Sequence, residues 1–475
     1  MLAIRRQVTA VGSVFQRIGG KHETDMTQGS IIHHLLTFAL PLLVGYVFQQ
    51  LYNTVDTWVV GNYVSNEAFS AVGTVGPIIN MLIGFFAGLS SGAGAVISQH
   101  FGAKQYDKVH DAVHTALVVT LLLGVLFTGL GIAITPLMLR LTNTPETVMP
   151  VSTAYLTIYF AGILGLMLYN VGSGILRAIG DSKRPFYFLI ISAVINTVLD
   201  LVFVLVFHMG VEGVALATII AQGVSAALVM LSLVRSHSCV RVSLHDLRLH
   251  PQMLKKIIKV GFPAAIQMAI TAFSNVFVQS YINAFGEDVM SGWTAYAKID
   301  QLILLPMQAL SMASTTFVGQ NLGIGDVPRA KKGIRAALTL SVIATVLLMI
   351  PVLLFAPQLT AFFNDKPEVV ACGTLLLRTI SPFYVLCCVN QIYAAALRGS
   401  GNSHVPMVIM LSSFVLFRQL YLFVVSTFLT DAFLPLAMGY PAGWLLCSLA
   451  MVIYFRKAKL SRHRLVAKTE QNPSC

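Results

Sequence analysis

The chain has 475 residues, 56% of them hydrophobic and 11% charged, with a mean hydropathy of +0.77 and a formal net charge of +12. Soluble domains carry about 25% charged residues, so this composition excludes a water-covered globule of this size. The apolar runs are continuous rather than alternating every second residue, which excludes a membrane β-barrel. The basic residues sit where they set orientation in a membrane rather than on a nucleic-acid-binding face.

Residues 1–25 (MLAIRRQVTAVGSVFQRIGGKHETD) are weakly amphipathic and show no cleavable signal peptide, and Met26 opens an alternative start, MTQGSIIHH. Twelve apolar runs follow, all long enough for the about 20 residues that cross a bilayer: 33–61, 68–99, 111–139, 149–175, 185–208, 212–234, 253–285, 290–320, 330–361, 369–397, 405–430 and 434–455. The expected fold is therefore an all-α polytopic membrane protein. It has a cytoplasmic N-terminal segment (1–32), a first half (33–234), a linker (235–252), a second half (253–455) and a tail (456–475).

All but five of the 31 Lys and Arg lie in the terminal segments or in alternate loops. Arg140 and Lys366 occupy the other loops, and Lys298, Arg378 and Arg418 fall inside spans. The basic-poor loops carry acids instead, among them Glu146, Glu212, Asp288 and Glu368. By the positive-inside rule both termini are cytoplasmic. The six cysteines have no metal-ligand spacing and read as small apolar fillers or free thiols. His33, His34, His100, His110 and His114 sit at cytoplasmic span ends, where solvation accounts for them. No Ser/His/Asp arrangement, nucleotide loop or paired His/Asp centre appears, so the chain is not read as an enzyme.

The two halves repeat. ISQHFGAKQYDKVHDAVHTAL (97–117) matches VGQNLGIGDVPRAKKGIRAAL (318–338), and LRAIGDSKRP (176–185) matches LRGSGNSHVP (397–406), at a constant offset of 221 (320 minus 99). Parallel repeats of six spans belong to transporters that bind substrate between the halves near the midplane.

Asp56, in the run LYNTVDTWVVG (51–61), lies in the first span, and a charge at membrane depth costs at least about 2.5–3.5 kcal/mol, so it is rarely idle. In the fifth span INTVLD places Asn196 and Asp200 on one helix face, and Thr218 of the sixth span is able to face the same space. Together they offer two carboxylates, an amide oxygen and a hydroxyl. Such hard oxygens suit Na⁺, and carboxylates in apolar surroundings suit H⁺. The competing reading is that the two acids merely hold helices together. The offset of 221 carries Asn196 and Asp200 onto Phe417 and Tyr421, beside Arg418, so the acid pair belongs to the first repeat alone. Pro41 acts either as a hinge coupled to Asp56 or as a static kink. Gln49, Tyr52 and Asn53 line the cavity or bond between helices. In the second repeat Asn275, Gln279 and Asp300 are cavity candidates. Asp300 either attracts cationic drugs or pairs with Lys298, while Gln267, Met268, Phe273 and Phe277 suit an adaptable apolar pocket. Arg378 and Arg418 read as buried, paired with backbone or a carboxylate.

FALPLL followed by LYNTVDTWVVG, the repeated GQ/SQ-x-x-G after spans two and eight, and LRAIGDSKRP after span four resemble the multidrug and toxic compound extrusion (MATE) family over about residues 27–460. The resemblance implies two pseudo-symmetric six-helix lobes forming a V-shaped cavity, and exchange of H⁺ or Na⁺ for organic, often cationic, compounds. Asp56, Asn196, Asp200 and Thr218 match the coupling set of the DinF-like branch. The NorM-type acid of span seven is Thr271 here, a departure that puts a second-repeat cation site in doubt. The resemblance further implies a monomer in the plasma membrane with no cofactor. The rival reading is a lipid-linked oligosaccharide flippase of the same superfamily.

Overall fold

The computed structural model describes residues 23–466, apart from residues 65, 143, 430 and 431 and the side chains of 55–58, 60–62, 66–70 and 74. Every regular element among the described residues is helical, as lipid demands of backbone that cannot bond to water. The first repeat comprises α1 (Ile31–Tyr63), α2 (Asn66–Gly102), α3 (Tyr106–Leu141), α4 (Met149–Ala161), α5 (Ile163–Ala178), α6 (Lys183–Leu201) and α7 (Val211–Val234). The second comprises α8 (Pro251–Asn283), α9 (Glu287–Ile324), α10 (Val327–Leu354), α11 (Ala356–Ala361), α12 (Pro367–Ile380), α13 (Tyr384–Gly399), α14 (His404–Leu411), α15 (Arg418–Val424), α16 (Phe433–Ala437) and α17 (Gly439–Lys457). Among the described residues eleven helices are long and apolar enough to cross a membrane, or twelve when α4 and α5, bent by 46°, count as one broken span. At that bend a Cβ on Gly162 would lie 2.4 Å from the Ile219 side chain of α7, so glycine makes room for the helix behind.

The repeat is written into the element boundaries. Asn66 and Glu287, Tyr106 and Val327, Ile163 and Tyr384, and Lys183 and His404 each open corresponding helices at the same 221-residue offset. The matched turns share their chemistry as well. Gly180 and Gly401 both adopt the left-handed region, at φ 86° and 93°, which glycine enters without a side-chain penalty. The next residue caps the following helix in each case: Asp181 Oδ1 accepts from the N–H groups of Lys183 and Arg184, both at 3.1 Å, and Asn402 Oδ1 accepts from Val405 N–H at 3.3 Å.

The described chain packs as two compact units, one containing residues 44–76 and 104–257, the other 26–43, 77–103 and 258 onward. Helices α1 and α2 each contribute to both, α1 changing unit after Leu43 and α2 after Gly76, next to Pro41 and Pro77.

In the first unit α7 packs against α4, α5 and α6. A buried Asp181–Arg184 ion pair of 3.0 Å secures the turn into α6. In the second unit α9 is the central helix, with 78% of its most apolar window buried against 17% for α10. Its C-terminal end meets that of α2 at backbone distance: a Cβ on Gly102 would lie 2.0 Å from Gln320 O, and one on Gly323 2.1 Å from Gln99 O. Small residues permit this approach where lipid offers no hydrophobic drive between helices. The two matched glutamines of this seam each hold an incoming strand of chain. Gln320 Oε1 accepts from Met26 N–H at 2.9 Å, and Gln99 Oε1 accepts from Leu465 N–H at 2.7 Å.

Three expectations are corrected. Arg378 is exposed rather than buried, because it points away from the face of its helix that buries Val369, Leu376 and Ile380. His100 and His114 are 2% and 0% exposed, so solvation does not account for them.

Candidate functional site

Helix α6 begins at the Asp181 cap and buries Ser192, Asn196 and Asp200 along a single stripe, as four-residue spacing requires. Ser192 Oγ donates to Ala221 O of α7 at 2.7 Å. Further along, a Cβ on Gly213 of α7 would lie 3.0 Å from Phe203 Cβ, just beyond α6. These two contacts run in opposite senses along the two helices, so α6 and α7 are antiparallel. That register sets Asn196 level with Ala217 and Thr218, and Asp200 nearer Gly213.

Asp200 is fully buried and Asn196 is 2% exposed. The amide Nδ2 and Oδ1 of Asn196 have no hydrogen-bond partner among the described residues. Leaving a buried polar group unsatisfied costs about 1–3 kcal/mol, a cost that a bound cation or water removes. Thr218 Oγ1 donates to Val214 O at 3.0 Å within its helix, which leaves the hydroxyl lone pairs free to accept or to ligate. Immediately after Asp200 the helix widens into a π-helical turn, Val202–Val206, a distortion that recurs at functional sites. On α1 the backbone at Asp56 is helical, and its side chain lies outside the described residues. Gln49 and Tyr52 are half-buried, Asn53 is exposed, and Pro41 sits within one continuous helix.

The second repeat is built differently at the matched positions. Arg418 Nη2 donates to Asn275 Oδ1 at 2.8 Å and Ser274 Oγ at 3.1 Å, and its guanidinium lies 4.7 Å from the Tyr440 ring centre. A hydroxyl, an amide and a ring thus hold this buried arginine, in place of the expected backbone or carboxylate. Gln279 Nε2 donates to Asn283 Oδ1 at 2.8 Å, and Gln267 accepts from Arg398 Nη1 at 3.4 Å, so both polar groups are partnered. Phe273 and Phe277 are exposed and meet edge to face at 5.3 Å.

Asp300 accepts a hydrogen bond from the Tyr384 hydroxyl, which in turn meets the Tyr296 hydroxyl at 3.2 Å. The expected pairing with Lys298 is not what holds it: residues two apart on a helix point to different sides. Around this acid stand Trp293 and Tyr296 of α9, Tyr384 of α13, and Tyr440 and Trp444 of α17, with ring centres 5.2–6.1 Å apart along the chain of contacts. This aromatic wall was missed because its members come from three helices. The one signal available was WTAYAKID, which sets Trp293, Tyr296 and Asp300 on one face at i, i+3 and i+7.

A membrane-embedded, all-helical chain of two repeated halves with polar groups buried inside its spans has the build of a secondary transporter. The chain belongs to the MatE family, whose sequence profile matches residues 41–202 and 263–423, one stretch in each repeat. It is 32% identical to a probable multidrug resistance protein, YpnP, of Bacillus subtilis (strain 168), over 93% of this chain and 98% of that protein. It is 30% identical to a second from the same organism, YoeA, over 90% and 94%. A solved structure, described as the outward-facing conformation of a multidrug resistance MATE family transporter, superposes with a TM-score of 0.86 at 23% identity, covering 92% of this chain and 98% of that one. The chain is accordingly a membrane transporter and not an enzyme.

Proposed function

We propose that this protein is a multidrug efflux transporter of the plasma membrane that exchanges H⁺ or Na⁺ for organic, often cationic, compounds by alternating access. The observation that carries the coupling role is the buried pair on α6: a carboxylate, Asp200, one turn from the Asn196 amide, whose two polar atoms have no partner among the described residues. The coupling ion is held by Asp56, Asn196, Asp200 and Thr218, in the manner of the DinF-like branch. Ion binding rearranges α1 around Pro41 and weakens drug binding on the outward side. The change of unit that α1 makes after Leu43 supports a hinge at this point, and Pro77 serves α2 in the same way. The candidate drug contacts are Gln49, Tyr52 and Asn53 in the one unit and Asn275, Gln279 and Asp300 in the other, with Asp300 and its aromatic neighbours receiving the cationic group. The protein works as a monomer with both termini in the cytoplasm, needing no cofactor beyond the ion. Among the described residues the buried arginines Arg184 and Arg398 lie at the ends of their spans, and Arg418 alone is buried well within one, which disfavours the flippase reading and its cationic cavity.

Cells expressing the wild-type protein are expected to accumulate less ethidium than cells without it, and cells expressing Asp200→Asn at equal membrane abundance to accumulate as much as the control. Wild-type-like exclusion by Asp200→Asn would overturn the coupling role. Equal accumulation with and without the wild-type protein, for ethidium and norfloxacin alike, would overturn the multidrug reading.

A further inference from the structure

The linker between the repeats is fastened to the start of α3 by residues outside the proposed coupling set. Ser243 N–H donates to His114 Nε2 at 3.1 Å, and His250 N–H donates to Thr115 Oγ1 at 3.1 Å. Two further contacts cross between the same segments: His110 Nε2 lies 3.8 Å from Asp246 Oδ2, and His250 Nε2 lies 3.6 Å from Asp111 Oδ1. His110 and His114 are four apart on one helix face, with ring centres 4.0 Å apart. A donor atom from each of His110, His114 and Asp246 lies within 4.8 Å of the other two.

We propose that His110, His114 and Asp246 form a divalent transition-metal site that clamps the linker onto α3. Two imidazoles and a carboxylate select Zn²⁺ or its neighbours over Mg²⁺ and Ca²⁺, which prefer oxygen alone. Tetrahedral Zn²⁺ with bonds of about 2.0–2.2 Å sets its ligand atoms about 3.4 Å apart, so the observed cluster needs a closure of about 1 Å, within reach of rotamer adjustment. The tautomer of His114 already suits ligation. Its Nε2 accepts from a backbone N–H, so its proton is on Nδ1, which faces His110 O at 2.9 Å. Metal-bound histidines are oriented in this way by a backbone carbonyl behind the ring. Binding exchanges the Ser243 N–H at Nε2 for the ion, and it joins the helix to the linker through Asp246, whose side chain is 48% exposed.

The test titrates untagged, detergent-purified full-length protein with Zn²⁺ by calorimetry and follows proteolysis of the linker. The wild-type protein is expected to bind about one ion per chain, and Zn²⁺ to slow cleavage within 235–250. Asp246→Asn and His110→Ala are each expected to weaken binding by at least about tenfold and to abolish the protection. Both variants leave the His114–Ser243 bond intact, so the linker stays docked without metal. Absence of saturable binding by the wild-type protein, or binding by both variants at wild-type affinity, would overturn the site. Binding without protection would overturn the clamp.

Discussion

Where α6 carries Asn196 and Asp200, the second repeat carries Phe417 and Tyr421 with Arg418 between them. The backbone frame is conserved across the two halves: helices begin at matched positions, and both turns use a left-handed glycine and a side-chain cap. The polar fittings are not. In the first repeat a carboxylate and an amide are buried together. In the second a cation is buried with Ser274, Asn275 and Tyr440 against its guanidinium, and the counterpart of Asp200, Tyr421, donates to Pro435 O at 3.0 Å. The duplicated scaffold thus carries a buried acid and amide in one half and a buried guanidinium at the matched place in the other.

The contrast can be broken or sharpened by substitution. Asn196→Leu removes the amide that has no partner among the described residues. A helix-holding role predicts a less stable protein, whereas an ion-ligand role predicts loss of most gradient-driven efflux with thermal unfolding unchanged or raised, because about 1–3 kcal/mol of desolvation cost disappears. Arg418→Ala should act the other way, lowering the unfolding temperature in detergent by the loss of charged hydrogen bonds, each about 1.5–3 kcal/mol. Lysine there should fail to restore it, since an ammonium does not stack on Tyr440 as a guanidinium does. Tyr384→Phe leaves Asp300 without its hydroxyl donor. Efflux of a cationic probe should show a raised KM, several-fold, with kcat little changed, and a KM left at the wild-type value would remove Asp300 from the drug path. Tyr421→Phe should cost about 1 kcal/mol of stability and leave efflux intact.

The smallest expected effect concerns the linker. Burial, reinforced by Glu23, pushes the Cys239 thiol up to about 12. The folded state therefore holds the neutral thiol, and its contribution to stability is complete below the ordinary thiol pKa of about 9 and is lost as pH rises through the folded value. Alkylation of Cys239 should be slow at neutral pH and quicken steadily above pH 9. A rate at pH 7 equal to that of an exposed cysteine would contradict this placement.

The spans and the repeat could be read from the chain because lipid leaves the backbone few alternatives and because motif spacing survives duplication. Asn196 and Asp200 were readable for a similarly local reason, being one helical turn apart. The Tyr384–Asp300 contact joins residues 84 apart, and no periodicity reports on such a meeting. Hydropathy located Arg378 in a span without telling which face it occupied, so its exposure went unread. His114 looked like a solvated span end, and its burial depends on Ser243, which folds back from 129 residues away. Pro77 attracts no notice in sequence, yet α2 changes unit beside it.

The most direct test of first-repeat coupling is efflux from proteoliposomes with H⁺ and Na⁺ gradients imposed separately, comparing wild-type protein with Asp200→Asn. Wild-type protein should move an organic cation under at least one of the two gradients, and Asp200→Asn under neither. Gradient-driven efflux by Asp200→Asn at the wild-type rate would contradict the account.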